Sequence, residues 1–307
     1  MNLSVQLAPK NKHGLLLANP VMTASGTFGY GIEYCHIIDI QKLGAIVSKG
    51  TTLDPREGNP YPRIAETACG MLNSIGLQNI GVEAVITEKA PIWASWQVPV
   101  IVNIAGETIE EYAQLADKLE GVAGISSIEV NISCPNIKAG CVEFGANPDA
   151  AAAVTAAVKE ATSLPVLVKL TPNTSDIVRT AVAVAEAGAD AISLINTLRG
   201  IAIDTAERRP VLGNIVGGLS GPAIKPVALY MVYEASKAVG IPVVGCGGIA
   251  TPGDAIEFIM AGASAIQVGT TNFMNPRAPL DILEGIMQFM RQEGIDNLSE
   301  LIGVARC

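Results

Sequence analysis

Residues 126–136 read SSIEVNISCPN, and the point at which this stretch stops being a strand organises the rest of the chain. Its first half has the alternation and β-branching of a buried strand. Pro135 then ends regular pairing, because proline fixes φ and offers no N–H to a ladder. Cys134 therefore stands where a strand gives way to a loop, and its thiol serves either packing or chemistry. Next comes NPDAAAAVTAAVKEATS at 147–163, a helix-like segment that opens on Asn147 as a cap, followed by a second short apolar strand, PVLVKLTP, at 165–172.

The same alternation runs through the whole chain. Strand-like runs occur at 20–25 (PVMTAS), 45–52 (AIVSKGTT), 98–106 (VPVIVNIAG), 126–134, 165–172, 191–198 (AISLINTL), 241–248 (IPVVGCGG) and 265–270 (AIQVGT). Helix-like segments lie between them, with Thr108, Asn147 and Thr174 as expected caps. Eight such units in 307 residues, with strands apolar on both faces, predict an α/β fold of the (β/α)8 TIM barrel type over residues 1–307 as a single domain. A doubly wound open sheet is the alternative. In a barrel, active groups gather at the carboxyl ends of the strands. The residues at those ends are Ser25, Lys49, Asn103, Asn131, Cys134, Lys169, Asn196, Thr197, Gly247, Gly248, Gly269 and Thr270. Two connections, 53–79 and 199–226, are too long for ordinary βα loops and are expected to cover the carboxyl-terminal mouth.

Composition narrows the function. Apolar residues make up 49% and charged residues 16%, with a mean hydropathy of +0.38, which suits a compact fold. Apolar runs break well before the roughly 20 residues of a membrane span, and the amino terminus lacks a signal-peptide core, so a soluble, unprocessed protein is expected. A net charge of −9 without basic clusters argues against nucleic acid. The six cysteines never form CxxC and no histidine cluster joins them, which argues against a metal or iron–sulfur site in this chain and suits the reducing cytoplasm. His13 and His36 lie away from strand ends and read as surface residues. Cys141 shares the stretch with Cys134, which leaves a redox role open for it; the other cysteines read as packing or surface residues.

GCGGI at 245–249 and QVGTT at 267–271 present small residues at the ends of the last two strands, where barrels hold phosphate; two tight turns are the plainer reading. No GxGxxG follows a first strand, so a nicotinamide site of Rossmann type is not expected here. Flavin mononucleotide (FMN) fits better. Lys169, a lysine in an apolar strand, could face the pole of the flavin that becomes anionic on reduction, or pair with a core carboxylate.

Taken together, NISCPN (131–136), SKGTT (48–52), GNPYPR (58–63) with NSIGLQN (73–79), INT (195–197), GGLSGPAIKP (217–226) and GCGGI with QVGT resemble the class 1 dihydroorotate dehydrogenases over nearly the whole chain. The resemblance implies an FMN-bearing barrel that oxidises dihydroorotate to orotate in pyrimidine synthesis, one FMN per chain. It makes Cys134 the base that removes the C5 proton while hydride leaves C6 for flavin N5; class 2 relatives use serine. It places Lys49, Asn73, Ser74, Ile75, Gly76, Leu77, Asn131, Asn196 and Thr197 around substrate. Ser25, Lys49, Gly50, Asn103, Asn131, Lys169, Ile195, Gly221, Gly247, Gly248, Gly269 and Thr270 would hold FMN. Gln78 in NSIGLQN is similar to the NAD-linked class 1B form, although Ile80 departs from the proline common there. Class 1B implies a homodimeric core joined to a second subunit carrying FAD and a 2Fe-2S cluster, in a heterotetramer. A fumarate-linked class 1A enzyme, a dihydropyrimidine dehydrogenase-like barrel acting on uracil or thymine, and a non-catalytic phosphate-binding barrel are the alternatives.

Overall fold

The computed structural model of the chain describes residues 1–133 and 144–307; Cys134 and Cys141 lie outside them. Eight parallel strands form one sheet: β1 Val21–Thr23, β2 Ile46–Val47, β3 Val100–Ile104, β4 Ser127–Asn131, β5 Val166–Leu170, β6 Ala191–Leu194, β7 Val243–Cys246 and β8 Ala265–Val268. Each pairs with its sequence neighbour from β2 through β8, and β8 then pairs with β1. A bridge between Met22 and Ala45 brings β1 to β2 and closes the ring. The open sheet is thereby excluded, and every strand falls within the range expected for it.

The helices are built by local rules. Ile109–Leu119 starts on Thr108, whose hydroxyl accepts the Glu111 N–H, and buries Tyr112, Leu115, Ala116 and Leu119 against the barrel. Pro148–Ala161 starts on Asn147, whose side chain accepts from Asp149 and Ala150. The third cap differs from expectation. Asp176, not Thr174, caps Ile177–Glu186 by accepting the Arg179 N–H, while the Thr174 hydroxyl accepts from Asp176 N in a local turn. A carboxylate at a helix start also gains from the dipole, which favours the later residue.

Two further differences concern the strands. β4 is not apolar on both faces: Ile128 and Val130 face the helices, whereas the alternate positions Ser127, Glu129 and Asn131 are polar and equally buried. The long connections are also more than loops. Ile64–Thr67 and Gly70–Asn73 from the first, and Leu198–Ile201 and Val216–Ser220 from the second, form one four-stranded antiparallel sheet. Its central contact pairs Leu72 with Leu219, residues drawn from the two separate excursions. A short hairpin, Val5–Gln6 with Leu16–Leu17, sits at the opposite end, where Asn11 donates to Ser163 O and Asp190. No helix among the described residues is long and apolar enough to cross a membrane.

Candidate active site

A cavity of about 950 Å³ occupies the carboxyl-terminal mouth, between the strand ends and the added sheet. Every described residue that the sequence singled out for a site lies on its wall. Ser25 comes from β1, Lys49 and Gly50 from β2, Asn103 from β3, Asn131 from β4, Lys169 from β5, and Ile195, Asn196 and Thr197 from β6. Gly247 and Gly248 follow β7, Gly269 and Thr270 follow β8, and Asn73–Leu77 and Gly221 come from the two excursions. The residues are 25 to 270 in sequence, so only barrel closure brings them together.

One side of the cavity is a set of amides and a cation. Asn196 Nδ2 donates to Asn131 Oδ1 at 3.2 Å, and Asn196 Oδ1 accepts the Thr197 N–H at 2.8 Å. Asn73 Nδ2 donates to Gly218 O at 3.2 Å, which ties this side chain to the partner excursion. The Tyr112 hydroxyl donates to the Asn131 carbonyl at 2.8 Å and fixes the end of β4. Lys49 stands half-buried among them, and burial pushes its ammonium below the usual lysine range despite the nearby Glu33 carboxylate. Such a wall presents donors and acceptors to a flat polar ring and a positive charge to a carboxylate.

The other side is bare backbone. Gly248 has φ 75°, and a Cβ there would lie 2.8 Å from Lys225 N and 2.9 Å from Gly221 O. Gly221, at φ 93°, would carry a Cβ 2.8 Å from Gly70 Cα. Glycine at these two positions lets the turns after β6 and β7 close on each other, and leaves main-chain groups facing the cavity as an anion requires. Thr270 Oγ1, donating to Ser220 Oγ at 2.8 Å, joins the turn after β8 to the same corner.

Lys169 lies at the cavity floor and is 3% exposed. Its Nζ reaches Gln267 Oε1 at 3.3 Å and Ser25 Oγ at 3.4 Å, and Glu129 Oε1 stands 3.8 Å away. Both alternatives for this lysine are therefore compatible: it has a core carboxylate beside it and also borders the cavity. Burial, the largest influence, opposes its charge, but the Glu129 carboxylate and Cys246 together outweigh it and leave the ammonium above the usual lysine range. A glycine cradle for phosphate and a buried cation at the floor fit FMN, a phosphate-bearing ring that becomes anionic on reduction.

A family model described as dihydroorotate dehydrogenase matches residues 8–290. The chain belongs to the dihydroorotate dehydrogenase family. It is similar to proteins named dihydroorotate dehydrogenase B (NAD(+)), catalytic subunit, from several organisms. The one from Geotalea daltonii is 53% identical over 305 residues, 99% of this chain and 98% of that protein. The one from Pelobacter propionicus is 55% identical over 297 residues, 97% of this chain and 98% of that protein. The one from Desulforamulus reducens is 54% identical and covers 99% of each.

For a dihydroorotate dehydrogenase, the structure adds residues that were not singled out from the sequence, some of them inside its motifs. Glu129, Ser193 and Gln267 are fully buried beneath the cavity, and Asn173, Ser133 and Cys246 line it. Glu129 carried the same signal as Lys169, a charge inside an apolar strand, and could have been found by asking what partners that lysine. Asn173 donates to Thr197 O at 3.1 Å, a link between the ends of β5 and β6 that only the folded chain shows. His13 and His36 are exposed, as expected. The segment bearing Cys134 leaves from Ser133, whose Oγ donates to Lys169 O at 3.3 Å, and the described chain resumes at Phe144, with Gly145 N donating to Ile132 O at 3.0 Å.

Proposed function

We propose that this chain is the FMN-bearing catalytic subunit of an NAD-linked dihydroorotate dehydrogenase, oxidising dihydroorotate to orotate in pyrimidine synthesis. The observation that carries the reading is near-full-length identity of 53–55% to proteins of that one name. The joint presence of an amide-lined wall, a glycine cradle and a buried ammonium in one cavity supports it chemically. On this reading, residues 1–307 act as one FMN-binding domain in the reducing cytoplasm, where free thiols persist.

FMN, when bound, supplies the hydride acceptor. The chain's own groups do the rest. Lys49 neutralises the substrate carboxylate while Asn73, Asn131, Asn196 and Thr197, with residues 74–77 over them, satisfy the ring. Cys134 takes the C5 proton as base, a step open to a thiolate under nearby positive charge. Gly221, Gly247, Gly248, Gly269 and Thr270 would take the phosphate, Ser25, Gly50, Asn103 and Ile195 would hold the ring, and Lys169 would offer it positive charge. The antiparallel sheet formed by both excursions lies over the cavity mouth and contributes Asn73 and Gly218 to its wall.

Two catalytic chains form the core, and a second subunit bearing FAD and a 2Fe-2S cluster carries electrons on to NAD, giving a heterotetramer. The printed name "catalytic subunit" of the similar proteins supports this division. Co-expression of a tagged chain with its native partner tests it. The expected product is a coloured complex that contains FMN, FAD and iron, and reduces NAD with dihydroorotate. A chain isolated alone that oxidises dihydroorotate with fumarate, or one whose reduced flavin is reoxidised by uracil, overturns the NAD-linked reading.

Gly248→Ala is expected to weaken FMN retention roughly tenfold or more, since backbone strain of about 1–3 kcal/mol falls on the cradle itself. The measurement is FMN released per chain after dialysis, with the circular dichroism melt as a check that the barrel persists. Retention equal to the parent would remove this turn from the phosphate site.

A further inference from the structure

Beneath the cavity lies a polar layer centred on a carboxylate, Glu129, that the reaction as described does not use. The Glu129 carboxylate, 0% exposed, sits among side chains from four other strands. Its Oε1 accepts from Asn103 Nδ2 at 2.8 Å, and its Oε2 accepts from Ser193 Oγ at 2.9 Å and Gln267 Nε2 at 2.6 Å. Lys169 Nζ lies 3.8 Å from Oε1. Gln267 ties the two charges together, because its amide donates to Glu129 while its Oε1 accepts from Lys169. Three neutral donors and one cation surround this single carboxylate, and removing its charge would leave several buried donors without a strong acceptor.

The charge matters because of what a buried lysine does without it. An isolated ammonium in a dry site sheds its proton, and it would recover that proton only when the cavity above it became negative. Among the described residues, the titratable groups facing Lys169 are Glu129 of β4 and Cys246 of β7. Burial pushes the Cys246 thiol up, against the pull of Lys169, so near neutral pH it keeps its proton and supplies no charge. Glu129 is thus the one fixed counter-charge among them.

We propose that Glu129 is a positioning residue: from below the cavity it holds Lys169 charged and in place through both redox states, so that flavin reduction takes up one proton and not two. The proposal rests on the reading that the cavity binds FMN. Hydride transfer from dihydroorotate brings two electrons and one hydrogen to the flavin and leaves it anionic, while the C5 proton departs through the base. With Lys169 already protonated, the balance ends there. With Lys169 neutral beforehand, the new negative charge draws a second proton from solvent onto its amine.

The count is readable as the pH slope of the bound flavin's midpoint potential in the purified full-length protein. Each proton taken up per two electrons contributes about 30 mV per pH unit, the tenfold step of a two-electron couple. Between pH 7.5 and 9 the parent is expected to show a one-proton slope, and Glu129→Gln a slope twice as steep. Glu129→Asp, which keeps the charge, restores the one-proton slope, and so does Glu129→Gln combined with Lys169→Met, which has no amine to titrate. A two-proton slope in the parent itself overturns the proposal, whether or not any variant folds. So does an unchanged slope in folded, flavin-loaded Glu129→Gln. A parent chain that carries no flavin would instead overturn the FMN reading.

Discussion

Replacing Cys134 with alanine is expected to leave FMN bound while slowing its reduction by dihydroorotate roughly 100-fold or more, the scale of a lost general base. The substitution removes the thiol proposed to take the C5 proton and leaves the glycines at Gly221, Gly247 and Gly248 and the amides at Asn131 and Asn196 unchanged. Stopped-flow bleaching of the flavin under anaerobic conditions measures it directly. Cys134→Ser is the sharper comparison, because a hydroxyl occupies the place of the thiol yet is far harder to ionise; its reduction should be slow at neutral pH and rise steeply with alkalinity. Reduction at the parent rate in Cys134→Ala would take this residue out of the mechanism and turn attention to Cys141, which shares the segment. Neither outcome depends on the partner subunit, since the half-reaction ends at the flavin.

The second large effect concerns stability. Glu129→Ala strips Lys169 of its counter-charge and leaves Asn103, Ser193 and Gln267 without their shared acceptor. Breaking one side of a buried pair costs about 3–5 kcal/mol; here Lys169 must give up its proton and three buried donors lose their acceptor. The urea midpoint of the purified chain should fall accordingly. Removing both charges tells a different story: Glu129→Leu with Lys169→Met replaces the pair by apolar groups of similar size, which is often near neutral for stability. The double variant should therefore recover most of the lost stability while losing FMN affinity. If Glu129→Ala unfolds at the parent's urea concentration, the carboxylate does not hold the barrel floor together.

The sequence made the barrel legible because its signal is local. Each strand is a short apolar run bounded by glycine, proline or a cap, and one helical period separates it from the next. Cap placement was harder, since Thr174 and Asp176 are both good acceptors two residues apart and the dipole decides between them. The cover over the mouth was legible only as two long insertions. Leu72 pairs with Leu219 across 147 positions of sequence, and Gly-rich stretches such as VGGLS at Val216–Ser220 carry little alternation to announce a strand. The cavity wall was legible through polar residues at strand ends, including Lys49, Asn103 and Lys169. Glu129 was passed over because it lies two residues before the end of its strand, where a charge reads as a core exception. Ile80 departs from the proline expected of the NAD-linked pattern, yet the similar relatives at 53–55% identity all bear that form's name.

The register that closes the ring has a consequence for synthesis. β1 pairs with β8 through Val21 and Ile266, residues from the two ends of the barrel, and Thr270 after β8 bonds Ser220 at one corner of the cavity. A ribosome making this chain has therefore released almost all of it before the ring can shut. β2 to β5 can pair in the order they emerge, whereas β1 must wait, with one edge unpaired, for a partner not yet translated. Closure of the cavity wall is consequently an event of the nearly finished polypeptide.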